Sequence, residues 1–484
     1  MQTHAWFAGR PRRLLAHTAT RVAAVGFALL VCSRPQPHRV YASEVASVPR
    51  QPRIVNGVLT PAYPTTVAVL YDNDPVDPTD VSEGCSGVLV GCQTVLTAAH
   101  CVCPDQTDNA GACIAAGLID PSTMLVFLQH AGFFPVASID LNPSYEFGVG
   151  SDVAILKLAK PVSGVAPSHI NTAQAPAVGT AGIIAGFGLT TDNATDSGVK
   201  RVGKVITAPC TASIPNSTHV CWNFVEPLAA PGEDSNTCNG DSGGPLFINF
   251  GAGDVVAGVT SGGEPTCTAN STSWDTSLFN DRFWVETEAG ADLDHATCGN
   301  LPQAGNPGTE ITGTSGTLSA THAEERSMFD VPAGTGLLRV TLNGADASQV
   351  RNQEVLNDFD LYIKAGSPPT TSDYDCRDIG AAPYGFCEIS NPVAGTWNVL
   401  VEQIEGSGTY QVTATTFAAA SLCAGDCNAN GEVTVDELVK GVNIALGNTS
   451  LAQCPSFDTT GDGEVTVDEL IRAVNNALNG CPVG

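Results

Sequence analysis

The run Gly240-Asp241-Ser242-Gly243-Gly244-Pro245 constrains this chain more than any other stretch. Glycines on both sides of one serine leave a turn without side-chain bulk, free to take positive φ and to present converging N–H groups. Upstream lie Thr97-Ala98-Ala99-His100-Cys101 and Ser151-Asp152-Val153-Ala154-Ile155-Leu156. A serine hydroxyl is a poor nucleophile near neutral pH and needs an adjacent base. His100 supplies that base in this reading, and Asp152 the carboxylate that orients the imidazole and stabilises the imidazolium. The chain order His, Asp, Ser marks one of several unrelated lineages built on this triad. Any fold must bring these three distant segments to one point.

A fourth segment, Arg53-Ile54-Val55-Asn56-Gly57, has the form of a zymogen cleavage site. From about Ile54 to Cys298 the chain resembles the trypsin/chymotrypsin-family serine endopeptidases. The resemblance implies a mainly β protein with a chymotrypsin-like double β-barrel over 54–298. It implies Ser242 as nucleophile, His100 as general base and later acid, and Asp152 as its orienting partner. The family's oxyanion-hole donors map onto the backbone of Gly240 and Ser242. Cutting after Arg53 frees the Ile54 amine to pair with Asp241, which gives the zymogen switch its driving force. Family bridges map onto Cys85–Cys101, Cys210–Cys221 and Cys238–Cys267. The base of the specificity pocket falls on Asn236, with Thr237 beside it and Ser261-Gly262-Gly263 as its edge. A neutral, open pocket favours an apolar, aromatic or polar residue before the scissile bond. Asp275 and Glu264 stand as acids that would restore a basic preference.

Arg10, Arg12, Arg13 and Arg21 precede an apolar run from Val22 to Val31, and Val40-Tyr41-Ala42 follows with signal-peptidase spacing. The reading is a signal peptide over 1–42, a propeptide over 43–53, and a secreted, extracellular bacterial protein without a membrane span. Of 17 cysteines, Cys32 leaves with the signal peptide, and the even remainder suits an oxidising compartment. Cys92, Cys103, Cys113 and Cys298 are extra to the family pattern. Two readings stand: Cys103–Cys113 with Cys92–Cys298 bridges, or a metal site. Eight of the 21 basic residues and one of the 49 acidic residues precede Ile54. The remainder, 13 basic against 48 acidic, has a net charge near −35, which argues against nucleic acid or anionic membrane partners and favours bound cations.

Residues 299–309 read as a linker rich in Gly, Pro and Asn. Over 310–419, short alternating runs such as Leu337–Leu342, Phe359–Ile363 and Trp397–Val401 predict a β-sandwich. Phe329–Gly334, Asn357–Tyr362 and Asn391–Trp397 make it resemble the bacterial pre-peptidase C-terminal domain, an accessory of secreted proteases. Cys376 and Cys387 are expected to staple one of its loops. Asp358 and Asp360 read as calcium ligands or as solvated turn acids.

Over 420–484 the stretch Asp426–Leu438 reappears as Asp458–Leu470. Oxygen donors at loop positions one, three and five, glycine at six and glutamate at twelve form a calcium-loop pattern. The candidate ligands are Asp426, Asn428, Asn430, Glu432 and Glu437, then Asp458, Thr460, Asp462, Glu464 and Glu469. Helices follow both loops and none precedes them, which resembles a dockerin domain, a small α loop–helix repeat. Leu438-Val439-Val442-Ala445-Leu446 and Leu470-Ile471-Val474-Ala477-Leu478 each fall on one helical face. Cys423, Cys427, Cys454 and Cys481 are expected to staple the module. The whole reads as a secreted serine endopeptidase acting on protein or peptide, with Ca²⁺ structural in the tail and no cofactor for catalysis. Through the tail it would meet a cohesin-like or cell-surface partner. The alternative is a tethered binding or scaffold protein whose protease domain serves narrow processing only.

Overall fold

The computed structural model describes residues 54–481 apart from 74–76, 78, 105–106, 226–229, 265, 296–297, 299, 302, 305–307, 347–356, 419–422, 429 and 460–463. The stretches read as signal peptide and propeptide, with Arg53, lie outside the described residues.

β-branched and aromatic runs build a closed antiparallel barrel from Thr66–Asp72, Val81–Leu89, Thr94–Thr97, Ala154–Leu158, Gly132–Leu141 and Met124–Leu128. Val67, Val69, Val126, Leu128 and Leu156 point into its core. A second six-stranded ring runs through Ala181–Gly186, Arg201–Ala208, His219–Phe224, Ser271–Ser277, Asp254–Gly263 and Pro245–Asn249, closing where the first two of these pair. Ile184, Val205, Val220, Trp222 and Leu246 fill it, together with Ile54. A helix, Leu278–Ala289, lays Leu278 and Val285 against Val88, Val153 and Phe247, between the two barrels.

The β-sandwich follows. Thr309–Leu318, Gly408–Ala418, Thr335–Gly344 and Tyr384–Ser390 form one sheet; Glu324–Val331, Gly395–Glu405, Asp358–Ala365 and Cys376–Asp378 form the other. Leu338, Val340, Leu342, Phe359, Leu361, Val399 and Val401 meet between them, and the Cys376–Cys387 disulfide crosses from sheet to sheet. The stretch read as a linker is not featureless, since Asn300–Leu301 and Gln303–Ala304 pair as a small ribbon.

An ordinary sandwich sheet would turn its second face to water. Here Thr335–Gly344 is buried on both faces. Arg339, Thr341 and Asn343 alternate with the core residues and lie against the protease barrels. Thr341 Oγ1 donates to Gln129 O, Asn343 Nδ2 to Gly198 O at 2.8 Å, and Arg339 NH1 to Ser163 O at 2.7 Å. Phe127 and Tyr384 meet edge to face, 5.4 Å between centroids, in an apolar cluster with Ala68, Leu70, Val81 and Ala382.

In the tail, helices Val435–Ala445 and Val467–Asn479 each start at a capping box, Thr434 with Glu437 and Thr466 with Glu469. Phe457, Ala473, Ile444, Ala424 and Cys454 form a small core, and Leu438 and Leu470 pack on it. The rest of the expected apolar face does not go inside: Val439, Val442, Leu446, Ile471, Val474 and Leu478 are exposed. The module is too short to cover both faces of its two helices.

Gly198, at φ 85°, marks the tightest approach of the sandwich. A methyl group there would sit 2.5 Å from Gly344 O and 2.6 Å from the Tyr384 hydroxyl. Gly198→Ala is expected to lose about 2–4 kcal/mol, combining left-handed strain with overpacking. Urea denaturation of the full chain measures it, and a loss under 0.5 kcal/mol, on the order of a neutral surface change, would contradict this docking.

Candidate active site

The catalytic candidates hang on the barrel junction. His100 sits on a 3₁₀ turn, Ala99–Val102, directly after the strand Thr94–Thr97. The Cys85–Cys101 disulfide pins that turn to the neighbouring strand, and the Tyr71 hydroxyl donates to Cys101 O at 2.8 Å. Asp152 precedes the strand Ala154–Leu158 and has no accessible surface. Its Oδ2 lies 2.7 Å from His100 Nδ1 and accepts the Ser261 hydroxyl at 2.7 Å, while Oδ1 accepts the His100 N–H at 3.0 Å. Burial alone would raise the Asp152 pKa. The His100 ring, its hydrogen bond, and those from Ser261 and the His100 N–H outweigh burial and hold the carboxyl below its ordinary value.

Ser242 stands on the glycine turn. Gly240 and Gly243 take φ of 90° and 85°, which only glycine adopts without strain. A side chain on Gly243 would strike Ser86 O and Thr97 Oγ1, both 2.3 Å away. Ser86 ties the turn to the first barrel: its N–H donates to Ser242 O at 2.8 Å and its hydroxyl to Gly240 O at 2.9 Å. Since Ser86 follows Cys85, which is bridged to the neighbour of His100, Ser242 and His100 share one junction. Among the described residues, no acceptor takes the Gly240 or Ser242 N–H.

Asp241 is fully buried. Its oxygens accept the N–H groups of Gly188 and Cys238, each at 2.9 Å. Burial pushes its pKa up to about 7 even though these bonds and the Arg201 guanidinium oppose the rise. Ile54 is buried too, inside the second barrel's core; among the described residues no bond joins it to Asp241.

The pocket beside Ser242 is lined by Thr237, Thr260, Gly262, Gly263, Ser271 and Ser273, with Asp192 and Glu264 also on its wall. Asn236 is not on the surface of this pocket. It lies beneath, fully buried, with Oδ1 accepting Trp222 Nε1 at 3.0 Å and Ser273 Oγ at 2.7 Å, and Nδ2 donating to Cys267 O at 3.0 Å. Ser261 turns its hydroxyl to Asp152 rather than to the pocket. Asp275 is enclosed within its strand and does not line the cavity. Glu264 is at the exposed rim. Sequence reasoning passed over Asp192, which accepts the Cys267 N–H at 2.9 Å and so fixes the pocket's disulfide wall. It also passed over Phe147, whose ring meets His100 edge-on at 5.6 Å and Trp274 at 6.4 Å. No local pattern marks either residue; each reaches the site through chain folding.

All eight disulfides among the described residues are local to one domain, and they include Cys92–Cys298, Cys103–Cys113, Cys210–Cys221 and Cys238–Cys267. Bridged sulfurs are not thiolate ligands, so the four extra cysteines do not form a metal site. Oxygen donors gather instead in the first tail loop. Asp426 accepts from Asn430 N and Gly431 N at 3.2 and 2.8 Å, and Asn428 Oδ1 from Asn430 N at 3.0 Å, around Gly431 at φ 83°. Asn430 Oδ1 accepts the Glu432 N–H at 2.9 Å. Glu437 accepts from Cys427 N and Thr434 N. These bonds overcome desolvation and hold its carboxyl below the ordinary range. Glu469 repeats this with Thr459 N and Thr466 N, and Asp458 and Glu464 flank that loop; Thr460 and Asp462 lie outside the described residues. The donor set suits a hard cation such as Ca²⁺. In the sandwich, Asp360 accepts the Tyr362 hydroxyl at 2.9 Å beside Asp358.

The profile of the trypsin family matches residues 54–281, and that of the bacterial pre-peptidase C-terminal domain matches 326–403. A trypsin-like protease of Streptomyces glaucescens is 32% identical over 197 residues, 38% of this chain and 66%, just under two thirds, of that protein. Fibrinolytic enzyme, isozyme C, of Lumbricus rubellus is 34% identical over 200 residues, 37% of this chain and 76% of its own. Serine protease 1 of Rattus norvegicus is 28% identical over 215 residues, 42% and 78% of the two chains. Double barrel, junction geometry and these similarities define a serine endopeptidase. The chain belongs to the trypsin family. Among the described residues no helix is long and apolar enough to cross a membrane.

Asp275 provides a stability test. Burial raises its pKa well above the ordinary value, the nearby Thr260 hydroxyl offsets this only in part, and neither oxygen has a hydrogen-bond partner among the described residues. The native state therefore binds this proton more tightly than the unfolded chain does. Stability is greatest below the unfolded pKa and falls as pH rises from there toward the folded value. Asp275→Asn is expected to melt higher than wild type at pH 7 and to lose that advantage near pH 4. Parallel melting curves from pH 4 to 8 would show that Asp275 does not titrate this way.

Proposed function

We propose that this protein is an exported endopeptidase that cleaves polypeptides by a His100–Asp152–Ser242 triad. The observation carrying this reading is the buried Asp152 carboxylate bonded to both His100 Nδ1 and Ser261, beside Ser242 on its glycine turn. His100 takes the Ser242 proton as Oγ attacks the scissile carbonyl, and the acyl-enzyme forms. The same proton passes to the leaving amine, after which water repeats the sequence in the second half. The Gly240 and Ser242 N–H groups stabilise the oxyanion, each contributing about 3 kcal/mol to the transition state. Ser, Thr and Gly around the pocket favour an uncharged residue before the scissile bond. Asp192 and Glu264 leave an acidic mouth that favours basic residues further along the substrate.

The chain is made as a zymogen in this proposal. Cutting after Arg53 creates an Ile54 ammonium close to the core it already occupies. A buried acid whose pKa is pushed up to about 7 gains most from such a cation, which supports Asp241 as its partner. The tail is a calcium-set, dockerin-like module that docks to a cell-surface or cohesin-like partner. Asp426, Asn428, Asn430, Glu432 and Glu437, with the corresponding residues of the second loop, would hold Ca²⁺, which supplies structural charge and no catalytic step. Exposed Val435, Val439, Leu446, Val467, Ile471 and Leu478, in matching positions of the two helices, support a partner face.

Peptide-library cleavage by protein cut at Arg53 tests the first part. Cleavage after uncharged residues, lost in Ser242→Ala and reduced at least ~100-fold in uncut Arg53→Gln, is expected. Activity persisting in Ser242→Ala would refute the triad. Chelation with EGTA is expected to lower the tail's melting temperature by several degrees and added Ca²⁺ to restore it; an unchanged melt removes calcium from the tail.

A further inference from the structure

One contact between the sandwich and the protease has no counterpart in the triad chemistry. Ser197 and Asp346 pair as an antiparallel bridge, with Asp346 N donating to Ser197 O at 2.7 Å and Ser197 Oγ to Asp346 O at 3.0 Å. The Asp346 side chain then crosses to the first barrel, where Oδ2 accepts the Glu83 N–H at 2.7 Å. Both residues are buried, Asp346 completely. Glu83 in turn lies against Gly240: a Cβ on that glycine would be 2.9 and 3.1 Å from the Glu83 carboxyl oxygens and 2.8 Å from Gly188 Cα. Gly188 is itself bonded to Asp241. Gly240, whose N–H is the first oxyanion donor in the reading above, is thus packed closely by Gly188 and the Glu83 carboxyl, and Asp346 of the neighbouring domain holds the Glu83 N–H.

We propose that the pre-peptidase-type domain is a working part of the protease, in which Asp346 acts as a positioning residue, setting the oxyanion turn at Gly240 through Glu83. This rests on the triad reading above. Glu83 faces Asp346, Asp241, Arg201 and Ser197, and Tyr384 of the sandwich faces Asp346 and Glu83. Burial first, then the Asp346 and Asp241 charges, push the Glu83 carboxyl well above its ordinary range and favour its neutral form. As a neutral group it packs against Gly240 without repelling the charge that develops there. Loss of the sandwich contact admits water to this carboxyl, lets it ionise, and frees the turn.

The test uses the full chain, cut at Arg53, and reads kcat, KM and the affinity of a peptide boronate, which takes a tetrahedral adduct into the oxyanion hole. Asp346→Ala is expected to lower kcat about 10- to 100-fold and weaken the boronate in parallel, with KM within about twofold. Asp346→Asn keeps an acceptor for the Glu83 N–H and is expected to recover most of the loss. A folded Asp346→Ala with wild-type kcat and boronate affinity overturns the proposal. Hydrogen–deuterium exchange of the wild type decides the case if Asp346→Ala does not fold. The hydrogen-bonded amides of Asp241, Gly243 and Gly244 and the Ser197–Asp346 bridge should open together, and a bridge that opens while these amides stay protected overturns it. Ser242→Ala run alongside separates the two readings, because cleavage surviving there sinks the triad itself, whatever Asp346 does.

Discussion

The active-site junction depends on one buried carboxylate. Asp152 has no accessible surface, and an ion left there without partners would cost several kcal/mol. Its partners come from both barrels: the ring and N–H of His100 from the first, Ser261 from the second, and the Thr276 hydroxyl on its carbonyl. Separating the barrels would strand this charge. The same interaction that orients the His100 ring therefore locks the two halves of the protease together.

A second layer of buried polar groups joins the protease to the sandwich. Gln129 Nε2 donates to Asn343 Oδ1 and Gln411 Oε1, both at 3.0 Å, and Gln411 reciprocates with both the N–H and the carbonyl of Lys200. The fully buried Lys200 amine is pushed down to about 7 by burial, with Glu310 opposing, and donates to Pro61 O and Tyr63 O. Polar networks of this kind are costly unless nearly every member is satisfied, so they fix one docking geometry rather than a sliding contact. An appended domain on a loose linker would need none of this.

The tail obeys different rules. Its core is a few residues around Phe457, and the Cys423–Cys481 and Cys427–Cys454 bridges do what burial cannot at this size. Capping boxes start both helices and present loop carboxylates in the same orientation twice. Apolar side chains left over on the outer faces are the result of duplicating a half-core.

Much of this was legible in advance where chemistry is local. The glycine turn, the histidine–cysteine pair, the sandwich's alternating strands and the repeated calcium-type loop each have a short-range reason for their sequence. The contacts made by the pocket residues depend on distant chain. Asn236 reads as the base of the pocket by counting; it lies buried beneath the pocket with its amide bonded to Trp222, Ser273 and Cys267. Ser261 reads as part of the pocket's backbone edge, and its hydroxyl is bonded to Asp152. Phe147, Asp192, Glu83 and Asp346 carry no pattern at all. The sequence alone determined the family and the order of its protease and pre-peptidase-type domains, because motifs and tight turns admit few residue types. Only the tertiary structure decided which acids face the pocket, which lie dry beneath it, and that the second domain reaches Glu83 beside the Gly240 turn. Those outcomes depend on what solvent each carboxyl loses when distant strands close over it.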